Sequence, residues 1–537
     1  MCQNLHLPST TSQDPMCVMY LYDVKSESYM EFDRTEIVRG SKNPCFAKKF
    51  TINYFFNEIQ KVKFQIYCIN PKRRVVKNED AVVSVELTLG EIVATGGELV
   101  RRLDSHKKSN MGYIIFSSQE VEASKRIVTM NVQGHWPDAK NRWLMKYRKS
   151  CLFLVFHKIL DDLSTESVYT TEVVNPGECQ SWEPIVMRLK TLAEDDEARP
   201  FRVTCHRWIS DGRQEQVGEF TTTIWELKSG RSPKFQVHHS KKGFFKKKKQ
   251  LNPAISFDRI GLQSFLDYIK GGMRINMTVA IDFTQKNGPQ KNSKSLHYID
   301  PHKSRHILNQ YAATLCCLGR VLQHYNKERI FSALGFGARL LNETGVSQNF
   351  TLNFRTEDPL NPFCKGVEGV LSAYYSSLKA LRFSSPRNFT PVIDYAAKCA
   401  SYITEGSEYN VLLIITCGMN NDMEDTIKTM VEASHLPLSI IIVGIGDASY
   451  EDFKVFNDRS EQLSDGVNTA ERCTVTFVCF RDFLRGGHSM RVNQALLGKN
   501  MLEDLPNQIL SHMSIHSIKA KPPLADHVTE RLSFFEY

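Results

Sequence analysis

The sequence predicts a multidomain chain: two antiparallel β-sandwiches, then an α/β domain with a doubly wound, mostly parallel sheet. Three observations predict it. Up to about residue 230, short β-branched and aromatic runs alternate with turn residues, which is the rhythm of half-buried strands. Beyond about residue 256, amphipathic helical stretches alternate with apolar strands, as in a parallel sheet covered on both faces. Between the two regions six lysines and two phenylalanines fall within nine residues, Lys241 to Lys249.

Composition agrees with this layout. A chain of 537 residues is too long for one ordinary core. Hydrophobic content of 42% and charged content of 24% describe a soluble globular protein. No apolar run approaches the ~18 residues of a membrane span. Met1-Cys2-Gln3-Asn4 lacks the basic flank and apolar stretch of a secretory signal. The fourteen cysteines are scattered without a Cys-x-x-Cys pair, so buried thiols in a cytoplasmic chain are expected. A net charge of +9 suits an acidic partner.

In chain order, strands are expected at Met16–Tyr22, Lys61–Tyr67, Val82–Leu89, Ile127–Val132, Cys151–His157, Phe201–His206 and Gly218–Ile224. An internal repeat supports two copies of one sandwich. Thr35-Glu36-Ile37-Val38 precedes Asn43-Pro44 and an aromatic strand at Phe46–Phe50. Thr171-Glu172-Val173-Val174 runs into Asn175-Pro176 ahead of Trp182. Each half closes on a Glu-containing strand and Leu-rich residues, Val85–Leu89 and Glu219–Leu227. Further on, helices are expected at Arg305–Tyr325, Val367–Leu381, Pro391–Ile403, Met423–Ala433 and Leu502–Met513. Strands are expected at Ile275–Ile281, Ile330–Gly337, Asn410–Thr416, Ser439–Gly446 and Val475–Phe480. The boundaries follow: sandwiches at 1–118 and 122–235, a lysine-rich linker at 236–255, the α/β domain at 256–515 and a tail at 516–537.

Ligands of such sheets bind beyond the carboxyl ends of the strands. Two strand ends carry chemistry. Asp282-Phe283-Thr284-Gln285-Lys286 resembles an Asp-x-Thr-x-Ser turn, which would aim a carboxylate and two hydroxyls at Mg²⁺, a cation that prefers oxygen ligands. Lys286 stands where the second hydroxyl belongs. Cys417 stands where a second carboxylate would follow Thr416. Both changes argue against magnesium or manganese. The expectation is that the Lys286 ammonium pairs with the Asp282 carboxylate in place of an ion, because an unpaired buried carboxylate is costly; the alternative is that Lys286 extends into solvent and the metal site has simply decayed.

Other chemistry is poorly supported. Gly335-Phe336-Gly337 and Gly444-Ile445-Gly446 complete no dinucleotide fingerprint and read as tight turns. His302 and His306 have helical spacing but no zinc motif. No nucleophile has a base nearby, so no enzyme and no small-molecule substrate are expected. The lysine run, with Lys241, Lys242, Lys246, Lys247, Lys248 and Lys249, reads either as a solvated linker or as a contact to anionic lipid. No recognition motif points it to nucleic acid.

The chain resembles the copine family, which joins two C2 domains to a von Willebrand factor A domain. The resemblance runs through Phe265-Leu266-Asp267-Tyr268-Ile269-Lys270-Gly271-Gly272 and Val279-Ala280-Ile281-Asp282-Phe283-Thr284. It recurs at Ala333-Leu334-Gly335-Phe336-Gly337-Ala338-Arg339 and at Leu436 to Gly444. In the sandwiches it rests on Phe32-Asp33-Arg34-Thr35-Glu36, Lys48-Lys49-Phe50 and Ile224-Trp225-Glu226-Leu227. It implies calcium-dependent binding to phospholipid, association with the plasma membrane or other membranes from the cytoplasm, and recruitment of protein partners by the A domain.

C2 domains hold calcium with aspartates in loops at one tip. By resemblance, Asp14, Asn70 and Asp80 remain as ligands in the first domain, while Pro8 and Cys68 replace others; a weak calcium site is implied. The chain also begins late for a full first strand of that sandwich. In the second domain Arg207 and Ile209 replace two carboxylates, although Asp211 and Glu215 remain, and no calcium binding is expected. Trp208, Arg207 and Arg213 are then either candidates for direct contact with anionic lipid or residues of a surface loop with no function. A calcium-independent interaction scaffold is the alternative reading.

Overall fold

The structure, a computed structural model, describes residues 1–6, 14–68, 81–104, 111–119, 127–135, 150–174, 179–182, 185–209, 214–229, 236–237, 254–300, 308–340, 343–353, 358, 360–403, 405–457, 462–484 and 489–523. Pro8, Asn70, Asp80, Asn175, Pro176, Asp211, Arg213, the lysine run, His302 and His306 lie outside the described residues. The chain packs into two units. One comprises Met1–Gln119 with Leu266–His512 and Ala520–Tyr537; the other comprises Glu120–Phe265 with Met513–Lys519.

The first unit opens with an antiparallel sandwich. One sheet runs Ser28–Arg34, Pro15–Asp23, Lys61–Cys68, Ala81–Thr88; the other runs Cys2–Gln3, Tyr113–Ser117, Glu98–Arg102. Alternation puts Cys17 and Met19 into the core with Val62, Phe64 and Ile66. No strand forms at Phe46–Phe50. There the Glu36 carboxylate accepts the amides of Ala47 (2.5 Å) and Lys48 (3.2 Å), so a side chain takes the place of a sheet partner. Within this unit Asn57 Nδ2 donates to the Lys499 carbonyl at 3.0 Å, and Lys499 pairs with Glu58 at 2.9 Å.

The same unit carries the α/β sheet. Its parallel strands lie in the order Ile330–Phe336, Arg274–Asp282, Glu408–Thr416, Leu438–Gly444, Val475–Cys479. Short antiparallel strands, Phe350–Thr351 and Phe363–Lys365, pair with Ile330–Phe336. Ile275, Met277, Val279, Ala280 and Ile281 are all buried, as expected of a strand covered on both faces. Each fully buried Ile or Val is worth about 1.5–3 kcal/mol over its exposed state. The domain's longer helices, among the described residues, are Gln310–Leu322, Gly366–Leu378, Thr390–Ser401, Met423–Glu432, Met490–Leu502 and Leu505–Ile515. The single helix expected at Leu502–Met513 is therefore the second of a pair. The first, Met490–Leu502, starts at Ser489, whose side chain accepts the Val492 amide.

The second unit is a sandwich of its own. Its five-stranded sheet runs Thr165–Thr170, Leu152–Ile159, Phe201–Trp208, Gln214–Thr222, Gln236–Val237. In the other sheet Ile127–His135 pairs with Cys179–Ser181, Ile185–Arg188 and Ala254–Gln263. The last pairing corrects the expected boundary. Ala254–Gln263 belongs to this sandwich, where Ile255 joins the core and Phe257 packs against it; it does not open the α/β domain. Residues 238–253, with the lysine run, thus connect two strands of one sandwich and do not link two domains.

The repeat read from sequence has a structural basis. Thr35 Oγ1 accepts the Cys17 amide, and Thr171 Oγ1 accepts the Leu154 amide, both at 2.9 Å. Each hydroxyl donates at 3.0 Å to the next residue's carbonyl, Glu36 or Glu172. Likewise Thr88 and Thr223 accept from the Glu91 and Glu226 amides and start the helices Leu89–Ala94 and Ile224–Lys228. That cap is why the strand expected to reach Ile224 stops at Thr222.

Candidate functional site

In the α/β sheet, strand order reverses between Arg274–Asp282 and Glu408–Thr416, and ligands of such sheets lie in the crevice at that switch point. Ile281 pairs with Ile415, so Asp282 and Cys417 emerge side by side. A third segment completes the crevice. Ser384 donates its amide to the Gly337 carbonyl and accepts from the Gln285 amide, both at 2.9 Å, and the chain then reaches Arg387. Gly337 is required at this crossing. Its φ is +77°, and a Cβ would lie 2.3 Å from Thr284 Cγ2.

Asp282 is fully buried, and its cation is Arg387, not Lys286. Arg387 Nε donates to Asp282 Oδ2 at 2.7 Å, with the two side chains 3% and 0% exposed. Its Nη2 donates to Thr284 Oγ1 at 2.8 Å and to Cys417 Sγ at 3.0 Å, and Nη1 donates to the Met419 carbonyl at 2.8 Å. The expected Lys286 pairing fails for a local reason. Gln285–Asn287 is a 3-10 turn that leaves Gln285 and Lys286 exposed and turns Asn287 inward. Asn287 Nδ2 then lies 3.0 Å from the Asp282 carbonyl and 3.4 Å from Oδ1.

The remaining acceptors of Asp282 are also occupied. Oδ1 accepts the Thr284 amide at 2.8 Å, and Oδ2 accepts the Cys417 amide at 3.0 Å. Burial alone would push this carboxyl up. The Arg387 guanidinium and the hydrogen bonds from Thr284 and Cys417 outweigh that and hold it below the usual range. Burial, with the carboxylate beside it, pushes the Cys417 thiol up to about 12, so it is a neutral SH. Beneath the crevice His297 stacks on Tyr311 at 4.1 Å and lies 2.9 Å from the Asp282 carbonyl through Nε2. Nε2 must carry the proton there, and Nδ1 accepts from the Tyr374 hydroxyl at 2.8 Å. Burial pushes His297 down to about 4.

A magnesium or manganese ion does not fit this arrangement. Mg²⁺ needs six oxygens at about 2.0–2.1 Å, whereas here a guanidinium already touches the carboxylate, the hydroxyl and the thiol. Sequence reasoning found Asp282, Thr284 and Cys417, which the fold brings together, and missed Arg387 and His297. An arginine in the loop before a helix, Ser385-Pro386-Arg387-Asn388-Phe389, was the only sequence signal for the cation.

In the first sandwich Asp14 Oδ1 accepts the Gly40 amide at 3.0 Å, and Pro15 pairs with Cys68. Asp14 thus adjoins the strand end that leads toward Asn70 and Asp80. In the second sandwich Arg207 and Glu215 face each other across paired strands and form an ion pair at 3.1 Å. A guanidinium holding the described carboxylate there is unsuited to calcium. Among the described residues no group of three His, Cys, Asp or Glu could hold a metal ion, and no helix is long and apolar enough to cross a membrane.

Two family models match the chain. The copine family model matches residues 295–521, and the C2 domain model matches residues 1–105. Solved structures match in part. One titled BON1-C2B is 19% identical, covers 26% of this chain and 94% of its own, and has a TM-score of 0.22. The manganese-loaded TRAP protein of Plasmodium vivax is 10% identical, covering 40% and 70%, with a TM-score of 0.24. The calcium-bound C2A and C2B domains of Extended-Synaptotagmin 2 are 10% identical, covering 49% and 93%, with a TM-score of 0.17. A C2 domain at its start and a copine domain toward its end give the chain a domain make-up consistent with the copine family.

Proposed function

We propose that this chain is a peripheral membrane protein that binds anionic phospholipid mainly by charge, through the loop end of its second sandwich and Lys241–Lys249. One observation carries the reading: the register of the strands flanking residues 238–253. Val237 pairs with Gly218 on a strand whose start, Gln214, pairs with Trp208, so the chain leaves residue 237 toward the Trp208–Gln214 end. It re-enters at Ala254, opposite His135. Cys179 also pairs with His135, and only five residues before it Val174 bridges Leu152, at the Trp208–Gln214 end. Five residues reach at most about 17 Å, too short for the length of a nine-residue strand. Both exits therefore lie at the end that C2 domains turn toward membranes. Trp208, 48% exposed, is at the same end.

The six lysines of this connection favour an anionic surface by up to about 1 kcal/mol each. The calcium response that the family implies is then confined to the first sandwich around Asp14, and the copine domain recruits proteins. Its role is binding, not catalysis. The ion pairs at Asp282 and Glu215 also favour a second reading, a calcium-independent scaffold. Sedimentation with phosphatidylserine vesicles, in calcium or chelator and at two salt concentrations, tests the proposal. Binding should persist in chelator, fall with salt, and fall at least about tenfold when Lys246, Lys247, Lys248 and Lys249 become Gln. Binding unchanged by the four substitutions would overturn it. No binding to any vesicle would leave the scaffold reading.

A further inference from the structure

We infer that Arg387 is the resident cation of the switch-point crevice, and that the copine domain of this chain excludes divalent ions there by construction. The guanidinium occupies the centre of the three side chains from which an ion would have to be held: Asp282, Thr284 and Cys417. Charge agrees with geometry. One carboxylate and one guanidinium balance, and the protonated Cys417 thiol adds nothing to hold a further two positive charges.

The arginine is also positioned independently of Asp282. Its amide donates to Asn421 Oδ1 at 2.8 Å, and its carbonyl accepts the Asn421 amide at 2.7 Å. Residue 418 is glycine where a Cβ would come within 2.9 Å of Arg387 Nη1, so the neighbouring strand end leaves space for the guanidinium. Asp422, next to Asn421, accepts the amides of Phe389 and Thr390 at 3.0 and 2.9 Å at the start of the helix Thr390–Ser401. Two loops are thereby clamped around Arg387. With Arg387 almost wholly buried, no position remains for a partner's carboxylate to reach an ion, and whatever this end of the domain recognises is recognised without one.

The test uses the full-length protein and Mn²⁺ alone. Hydrogen–deuterium exchange of peptides covering residues 282–287 and 415–421 is compared in millimolar Mn²⁺ and in EDTA. The wild type should show no difference; protection of both peptides by Mn²⁺ would overturn the inference without any variant. Arg387→Thr combined with Cys417→Asp supplies a hydroxyl and a second carboxylate. It should gain one bound Mn²⁺, counted by electron paramagnetic resonance, together with protection of both peptides, and Asp282→Asn added to the pair should abolish both. A folded double variant that gains no Mn²⁺ would show that Arg387 and Cys417 are not what excludes the ion. If the double variant does not fold, the wild-type exchange measurement decides alone.

Discussion

Arginine stands against a carboxylate in two regions where related chemistry would use a metal. In the α/β crevice the pair is Arg387–Asp282, with side chains 3% and 0% exposed; at the loop end of the second sandwich it is Arg207–Glu215, 24% and 29% exposed. The pairing is the same and the depth is not. At the sandwich tip water solvates both ions, and such a pair typically contributes under about 1 kcal/mol. In the crevice neither ion has water to return to, so each depends on the other and on the amides of Thr284 and Cys417. Burial turns an ordinary surface pair into a structural commitment.

The largest test of that contrast is Arg387→Met, which leaves Asp282 buried without its cation. It should cost about 3–5 kcal/mol, whereas Lys286→Met should stay within about 0.5 kcal/mol. The two regions can be followed separately. All five tryptophans fall in the sequence between Trp136 and Trp225, the described three of them in the second sandwich or its loops, and the long helices lie in the α/β domain. Urea denaturation monitored by helical circular dichroism should therefore report the Arg387 effect. Equal costs for the two substitutions would end the distinction between the buried cation and the exposed one.

Acid should separate the regions next. His297 is held near 4 by burial, while the unfolded chain protonates it near 6.5, so unfolding takes up a proton between those values. Its contribution is intact above about pH 6.5 and is lost as pH falls toward 4, up to about 3 kcal/mol. Asp282, also held low, acts in the same direction at lower pH. His157 and His206 in the second sandwich are lowered too, by burial, but both are partly exposed. Melting by circular dichroism from pH 7 to pH 5 should fall, and His297→Gln should flatten that fall; an unchanged slope in the variant would assign it elsewhere.

The smallest effect is expected at the exposed pair. Arg207→Ala should shift the urea midpoint of tryptophan fluorescence by no more than the equivalent of about 1 kcal/mol. A loss comparable with that of Arg387→Met would mean that depth does not set the worth of these pairs.

Much of this was legible from the residues in order. The change of period separated sandwiches from parallel sheet, and the sheet's strand ends located Asp282 and Cys417. The Thr-Glu repeat marked two hydroxyls that do the same work, as Thr35 and Thr171 show. The failures share one property. Arg387 meets Asp282 across 105 residues, and Ala254 meets His135 from the far side of the lysine run. Neither contact has a spacing that a single sequence displays.

The sequence by itself determined the elements, their order and the chemistry at the strand ends, because periodicity and turn residues act on neighbours within a few positions. The tertiary structure alone decided which cation neutralises Asp282 and which sandwich owns Ala254–Gln263. Lys286 was only four residues from the carboxylate, yet the 3-10 turn exposes it. Arg387 won because the crossing of Ser384 between two strand ends delivers it into a place that water has left, where an unpaired carboxylate is costly.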